Sequence, residues 1–353
     1  MLKLDGYQID IPIYESINSI VYRGIREEDN QPVILKMLKQ DYPTPTELTR
    51  YRQEYEIVRH LNIEGVVKAY GIAEYQRTLV VILEDFGGQS LKAFKENQVI
   101  FSLEEFLEIA IQVAKILGDI HRHNIIHKDI NPANIVFNPE TKEVKIIDFG
   151  ISTVLTRENP TLKNPNVLEG TLTYISPEQT GRMNRSVDYR SDFYSLGVTF
   201  YELLSGELPF KAEDSLELVH CHIARIPTAL GNRQQATGNR KEIPQVVSDI
   251  VMKLMAKTAE ERYQSAWGLQ MDLAECLQQL QSEGSIDSFP LATQDIADKF
   301  QIPQKLYGRE KEIQILLDTF KRVTSPQTPI SPSPQLPKRE KRANADCWLF
   351  WYW

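Results

Sequence analysis

The stretch from His127 to Gly150 constrains the fold more than any other. It reads His127-Lys128-Asp129-Ile130-Asn131-Pro132-Ala133-Asn134, then two short apolar runs around a turn, then Asp148-Phe149-Gly150. Ile135-Val136-Phe137 and Val144-Lys145-Ile146-Ile147 predict a β-hairpin joined by Asn138-Pro139-Glu140-Thr141-Lys142-Glu143. A hairpin there sets Asn134 and Asp148 side by side although they are well separated in sequence. Two oxygen donors of this kind suit Mg²⁺, and the nearby carboxylate of Asp129 can orient a hydroxyl nucleophile. The structural alternative is a buried hairpin flanked by solvated loop carboxylates.

Composition narrows the partners. The 353 residues carry a net charge of −8, which argues against nucleic-acid binding through phosphate neutralisation. Apolar residues make up 42% and charged residues 25%, as in an ordinary soluble domain. No apolar run approaches the ~20 residues of a membrane helix, so no membrane insertion is expected. Met1 to Asp10 lacks a signal-peptide apolar segment. Cys221, Cys276 and Cys347 form neither a metal-ligand spacing nor a disulfide framework, which suits a reducing cytoplasm.

Residues 7–14, 20–26 and 32–38 alternate as three strands. Thr44-Pro45-Thr46-Glu47 is a capping box with proline at the first helical position, opening a helix to about Leu61. Strands follow near Val66–Ala73 and Thr78–Glu84. Ser102-Leu103-Glu104-Glu105 is a second capping box, for an amphipathic helix to about His123. The segment from Arg190 to Leu204 is apolar on most sides and is therefore expected to be buried. Two further helices, about 245–257 and 263–281, precede a polar stretch, 281–299, that reads as a linker.

The two central motifs, in this order and at this spacing, resemble the catalytic loop H-R-D-L-K-P-x-N and the metal loop D-F-G of protein kinases. Val33-Ile34-Leu35-Lys36 is similar to that family's V-A-I-K strand, and Glu54-Tyr55-Glu56-Ile57-Val58 with Leu61 to its E-x-x-I-L-x-x-L helix. The run from Gly170 to Glu178 is similar to G-T-x-x-Y-x-A-P-E of the serine/threonine kinases. The resemblance covers about residues 7–280 and implies a two-lobed α+β fold. Its five-stranded β small lobe, with one helix, spans about 1–85, and its mainly α-helical large lobe about 86–280. It also implies ATP and Mg²⁺ as cofactors and protein Ser/Thr hydroxyls as acceptors.

By that resemblance Asp129 orients the hydroxyl, and Asn134 and Asp148 hold Mg²⁺. Lys36 binds the phosphates, partnered by Glu54 with Glu56 as the fallback. Leu83 backs the adenine, and the backbone of Glu84 and Phe86 meets its edge. Thr171 hydrogen-bonds near Asp129, Asp192 anchors the catalytic loop, and Glu178 pairs with Arg262. His127 is expected to be a packing residue, not a general base.

The sequence also departs from the pattern. Aligning Val21 with the valine of G-x-G-x-x-G-x-V puts Tyr14, Ser16 and Ser19 at the glycine positions. Glycine there lets backbone N–H groups approach phosphate with no Cβ in the way. Ser16 and Ser19 can donate hydroxyl hydrogen bonds instead, whereas Tyr14 has no such role. Lys128 replaces an arginine that pairs bidentately with a phosphorylated residue, and Val167, at the usual phosphorylation position, has no hydroxyl. Activity is therefore expected not to depend on phosphorylation there. Asn131 replaces a lysine that contacts the γ-phosphate, so slower chemistry is expected. These departures leave a second reading open, a docking module with weak or no phosphotransfer.

Leu306-Tyr307-Gly308-Arg309-Glu310, followed by a helix with Ile313, Leu316, Leu317 and Phe320, resembles the opening of an AAA-type ATPase domain. No G-x-x-x-x-G-K-[ST] occurs, so 300–323 reads as an incomplete start. Residues 324–353 are rich in Pro, Ser and Lys/Arg and close on Trp348-Leu349-Phe350-Trp351-Tyr352-Trp353. They read as a disordered or aberrant tail. A kinase followed by an ATPase opening resembles the cyanobacterial multi-sensor signalling kinases, whose chains continue into sensor and histidine-kinase modules. A truncated relative of these is expected.

Overall fold

The computed structural model describes residues 3–16, 19–40, 42–154, 170–183, 185–232 and 243–297, with Gln314, Ile315, Asp318 and Thr319. Val167, the helix positions Ile313, Leu316, Leu317 and Phe320, and the tail 324–353 lie outside the described residues. The chain divides into two units, Met1–Ile302 and Pro303–Trp353. In the second, the described residues are helical, and Gln314 Nε2 donates to Asp318 Oδ1 at 2.9 Å.

The small lobe consists of β1 (Tyr7–Glu15), β2 (Ser19–Arg26), β3 (Gln31–Leu38), α1 (Pro45–His60), β4 (Ala69–Tyr75) and β5 (Thr78–Glu84). The strands form one antiparallel sheet in the order β1-β2-β3-β5-β4. Helix α1 starts where its capping box says it should. Thr44 Oγ1 accepts from Glu47 N at 3.3 Å, and Glu47 Oε2 accepts from Thr44 N at 2.7 Å. Alternation divides the sheet into two faces. Tyr22, Val33, Leu35, Val80 and Ile82 cluster on one, and Leu38, Leu79 and Val81 pack with Tyr51 of α1 on the other. Directly opposed residues of antiparallel strands share a face. The register Tyr14↔Val21, Val21↔Lys36, Lys36↔Val81 therefore sets these four in one row on the α1 side.

The large lobe follows as β6 (Gln89–Ser90), α2 (Leu91–Glu96), α3 (Leu103–Arg122), β7 (Ile125–Ile126), β8 (Ile135–Asn138), β9 (Glu143–Ile146) and β10 (Thr153–Val154). Then come α4 (Arg190–Ser205), α5 (Ser215–Ala224), α6 (Gln245–Leu254) and α7 (Ala266–Glu283). The hairpin expected around the central stretch is β8–β9, with Val136 opposite Lys145. Helix α3 starts on its capping box, Ser102 Oγ accepting from Glu105 N at 3.1 Å. Helix α4 is buried from Arg190 through Glu202. The main core draws on α3, α4, α6 and α7 and on the β8–β9 hairpin. The expected two-lobed α+β fold is what the chain adopts.

Two boundaries differ from expectation. Strand β4 begins at Ala69 because Val66 instead bridges to Ile146 of β9, with Ile146 N donating to Gly65 O at 2.8 Å. Residues 285–297, expected as a linker, are fastened to the large lobe. Helix α7 stops at Gly284, whose φ of 72° suits glycine, and Ile286, Phe289 and Leu291 pack on the main core. Asp295 then returns to the start of α7. Its carboxylate accepts from Gln264 N (2.7 Å), Ser265 N (2.8 Å) and Ser265 Oγ (2.7 Å). Asp272 Oδ2 also accepts from Ala292 N at 2.8 Å, and the polar composition misleads here because a few polar tethers do the anchoring and the apolar contacts are scattered.

The large lobe is clamped by the expected ion pair. Arg262 Nη1 and Nη2 donate to Glu178 Oε1 and Oε2 at 2.7 and 2.9 Å. Ser191 Oγ donates to Glu178 Oε1 at 2.6 Å, and Arg262 also reaches the carbonyls of Arg190 and Ala256. Burial raises the Glu178 carboxyl, but the Arg262 charge outweighs it and holds the group below its ordinary value. Removing one partner strands a buried charge. Urea unfolding of Glu178→Ala is expected to show a loss of about 3–5 kcal/mol. A loss below about 1 kcal/mol, the value of a surface pair, would contradict this.

Candidate active site

Strand β3 delivers Lys36 to the face that α1 covers, and α1 presents Glu54 to it. Lys36 Nζ lies 2.7 Å from Glu54 Oε1 and 3.0 Å from Asp148 Oδ1. The fallback, Glu56, points elsewhere, toward Arg59 and His60 on the exposed side of α1. The Tyr51 ring, one turn before Glu54, lies 5.6 Å from Lys36 Nζ. Burial pushes a lysine's pKa down, yet the Asp148 and Glu54 charges reverse this and hold Lys36 above its ordinary value. Asp148 also feels burial, but the Lys36 charge and hydrogen bond keep it below its ordinary value. Glu54 is raised to about 6, because burial and the Asp148 charge outweigh the help it receives from Lys36. One cation thus serves two anions.

The catalytic loop hangs from Asp192, which is buried at the start of α4. Its carboxylate accepts from Lys128 N (2.7 Å) and His127 N (2.9 Å) and lies 2.8 Å from His121 Nε2. His127 packs as expected. Its Nε2 is 3.0 Å from the Ile147 carbonyl, and its ring meets Phe149 edge-on with centroids 4.8 Å apart. Lys128 (φ 70°) and Asp148 (φ 66°) are both left-handed. Such backbone costs about 1–3 kcal/mol per residue and persists only where its surroundings enforce it.

Asp129 is held from two sides. Its Oδ2 accepts from Asn134 Nδ2 at 3.0 Å and its Oδ1 from Thr171 N at 2.9 Å. Asn134 Nδ2 also donates to Asp129 O at 2.8 Å, which turns the amide oxygen away from these contacts. Ile147 N donates to Asn134 O at 3.0 Å, so the hairpin sets Asp148 one residue beyond Asn134's partner. Side-chain contacts thus join Asp129 to Asn134, and Asp148 through Lys36 to Glu54, while the Ile147 N–Asn134 O bond brings the two groups together through the backbone.

Other expected site residues have mixed placements. Asn131 is turned into its own loop, with Nδ2 3.1 Å from Asp129 O and 3.5 Å from Thr171 Oγ1, and Oδ1 accepting from Ala133 N at 2.9 Å. Ser16 and Ser19 close on each other, with hydroxyls 3.0 Å apart and Ser16 N donating to Ser19 O at 2.8 Å. Val21 stands beside Lys36 in the register. Leu83 packs with Leu38, Tyr51, Leu79 and Val81. Glu84 binds Lys145 Nζ through both carboxylate oxygens, at 2.9 and 2.8 Å, and Phe86 O accepts from Asn138 Nδ2 at 2.6 Å.

Sequence reasoning missed the groups that fix the crossing between the lobes. Besides Lys145 and Asn138, Arg23 Nε donates to Asp85 Oδ2 at 2.5 Å. It also missed Tyr51, whose place three residues before Glu54 on the same helix face was a readable signal.

The raised Glu54 gives a stability signature. Its folded value of about 6 exceeds the ordinary 4.5, so the fold favours the protonated carboxyl. That contribution is full below 4.5 and is lost as pH rises through about 6. The stability of the wild type relative to Glu54→Gln is expected to fall by about 2 kcal/mol across that window. Urea unfolding at pH 4.5 and 7 measures it, and a difference that rises with pH would contradict it.

Residues 17–274 match the family model for the protein kinase domain. Hybrid signal transduction histidine kinase G of Dictyostelium discoideum is 32% identical over 310 residues, covering 63% of this chain and 9% of that protein. Serine/threonine-protein kinase PrkC of Bacillus subtilis is 29% identical, covering 69% of this chain and 36% of that protein. Serine/threonine-protein kinase PknB of Mycobacterium leprae is 30% identical, covering 69% and 38%. The chain spans under two fifths of the length of each of these relatives. With the two lobes, the Lys36–Glu54 pair and the Asp129–Asn134–Asp148 arrangement already in place, the family match leads to one conclusion: the chain belongs to the protein kinase domain family.

Proposed function

We propose that the chain transfers the γ-phosphoryl group of ATP to serine or threonine hydroxyls of proteins, in signal transduction. The observation that carries this reading is that the hairpin brings the Asp129–Asn134 pair and the Asp148–Lys36–Glu54 group to neighbouring chain segments. The donor set suits Mg²⁺. Asn134 Oδ1 and the Asp148 carboxylate, 41% exposed, are hard oxygen ligands on neighbouring chain segments. Mg²⁺ takes few protein ligands and keeps waters and phosphate oxygens. Asn134 and Asp148 would hold the Mg²⁺, which would supply positive charge to offset that of the phosphates.

The chain's own residues do the rest. Lys36, held by Glu54, donates to the phosphates. Asp129, fixed by Asn134 Nδ2 and Thr171 N, accepts the hydroxyl's hydrogen bond and aims its oxygen in line. Adenine lies against Leu83. Its edge meets the backbone of Glu84 and the N–H of Phe86, because the Phe86 carbonyl is already engaged by Asn138. Ser16 and Ser19 turn from each other to reach a phosphate. Asn131 acts by bracing Asp129 and Thr171, not by reaching the γ-phosphate.

Protein acceptors are inferred from the segment after Gly170. Thr171 N lies on Asp129, Tyr174 Oη on Glu202, and Glu178 on Arg262. PrkC and PknB, named as serine/threonine-protein kinases, support the choice of hydroxyl. The hybrid histidine kinase relative, together with the ATPase-like opening at 300–323, supports a kinase domain set ahead of ATPase and histidine-kinase modules in a longer signalling chain. Buried free thiols at Cys221 and Cys276 support a reducing cytoplasm. Among the described residues no helix is long and apolar enough to cross a membrane.

Two measurements test this reading. Asp129→Asn is expected to lower phosphate transfer from radiolabelled ATP to a generic basic protein by roughly 10²–10⁴-fold, with Mg·ATP binding retained. Unchanged labelling would contradict it. Lys128 Nζ donates to Thr153 Oγ1 within its own lobe, so phosphatase-treated protein is expected to be fully active. Strict dependence on a phosphate near Val167 would refute that.

A further inference from the structure

Tyr14 occupies the first glycine position of the phosphate-covering loop, and the chemistry above leaves it without a task. Its register partner is Val21, which itself pairs with Lys36. The side chain therefore stands on the sheet face that carries the catalytic lysine. From there the ring reaches across to the other lobe, where Lys92 Nζ lies 5.9 Å from its centroid. Lys92 is the second residue of α2. Its backbone N–H donates to Pro132 O in the catalytic loop at 2.9 Å, which ties the cation's position to that loop. Both partners are at the rim, Tyr14 44% and the Lys92 side chain 47% exposed. Glu96, at 3.7 Å, is the other charge on Lys92, and it belongs to the same short helix. The aromatic contact is therefore the one of the two that crosses between lobes.

We propose that Tyr14 and Lys92 form a latch that keeps the lobes closed over bound nucleotide and slows its release. This rests on the reading that a nucleotide binds between the lobes. Glycine at this position gives phosphate free access to the backbone and holds nothing on the far side. Tyrosine gives up that access and supplies a π face that a cation on the opposite lobe can grip. The grip forms only when the lobes are together, so it acts on the dissociation rate more than on the association rate.

A double-mutant cycle on release of a fluorescent N-methylanthraniloyl ADP, with Mg²⁺ and the full chain, tests this by stopped flow. Both positions are exposed, so the variants keep the core intact. Tyr14→Leu and Lys92→Leu are each expected to release nucleotide roughly two- to five-fold faster, the weight of one exposed cation–π contact. The double variant is expected to be no faster than either single one, because each removes the same contact. Tyr14→Phe, which keeps the π face, is expected to release at the wild-type rate. Multiplicative effects in the double variant, or Tyr14→Phe as fast as Tyr14→Leu, would overturn the latch and leave nucleotide binding standing. No binding of the fluorescent nucleotide by the wild type would overturn the binding reading and the latch with it.

Discussion

The Lys36 ammonium, buried between the Glu54 and Asp148 carboxylates, is the contact on which the rest of the structure converges. A cation taken out of water needs its charge answered, and here two distant parts of the chain answer it. Glu54 arrives only if α1 docks on the sheet, which requires the packing of Leu38, Tyr51, Leu79 and Val81. Asp148 arrives only if the β8–β9 hairpin forms and its loop accepts a left-handed backbone. Glu54 bears the cost of this arrangement as a raised pKa, through its burial first and the neighbouring Asp148 charge second.

The large lobe contributes rigidity of another kind. Asp192 offers two oxygens to consecutive backbone N–H groups of the catalytic loop, fixing Lys128 in a conformation it would otherwise avoid. The Glu178–Arg262 clamp binds the segment after Gly170 to the α6–α7 region, and Thr171 of that segment reaches Asp129. Asp295 fastens the chain beyond α7 to that helix's own start. Asp192 and Asp295 satisfy backbone N–H groups left over at a loop and a helix end, and Glu178 satisfies the buried Arg262 guanidinium.

Local signals were legible, and long-range pairings less so. Both capping boxes, Thr44 with Glu47 and Ser102 with Glu105, are written within four residues, and both form. The hairpin followed from two apolar runs and a turn. Glu54 could be chosen over Glu56 because Glu54-Tyr55-Glu56-Ile57-Val58 with Leu61 matches E-x-x-I-L-x-x-L when Glu54 takes the glutamate position. Arg23 with Asp85 and Lys145 with Glu84 could not be seen, since partners 62 and 61 residues apart leave no local trace. Composition misjudged 285–297 because tethers made by Asp295 and Asp272 look the same as solvated acids until the backbone they bind is in place. The hydroxyls of Ser16 and Ser19 were legible as donors. That they bind each other was not, because a turn's closure depends on its geometry.

A crystal structure of the chain with Mg²⁺ and a non-hydrolysable ATP analogue tests the convergence on Lys36 most directly. The expected result has Asn134 Oδ1 and an Asp148 oxygen about 2.0–2.1 Å from the metal, with Lys36 Nζ on a phosphate oxygen and Glu54 still behind it. A nucleotide bound with its metal on other ligands, or with Lys36 turned away from its phosphates, would contradict it.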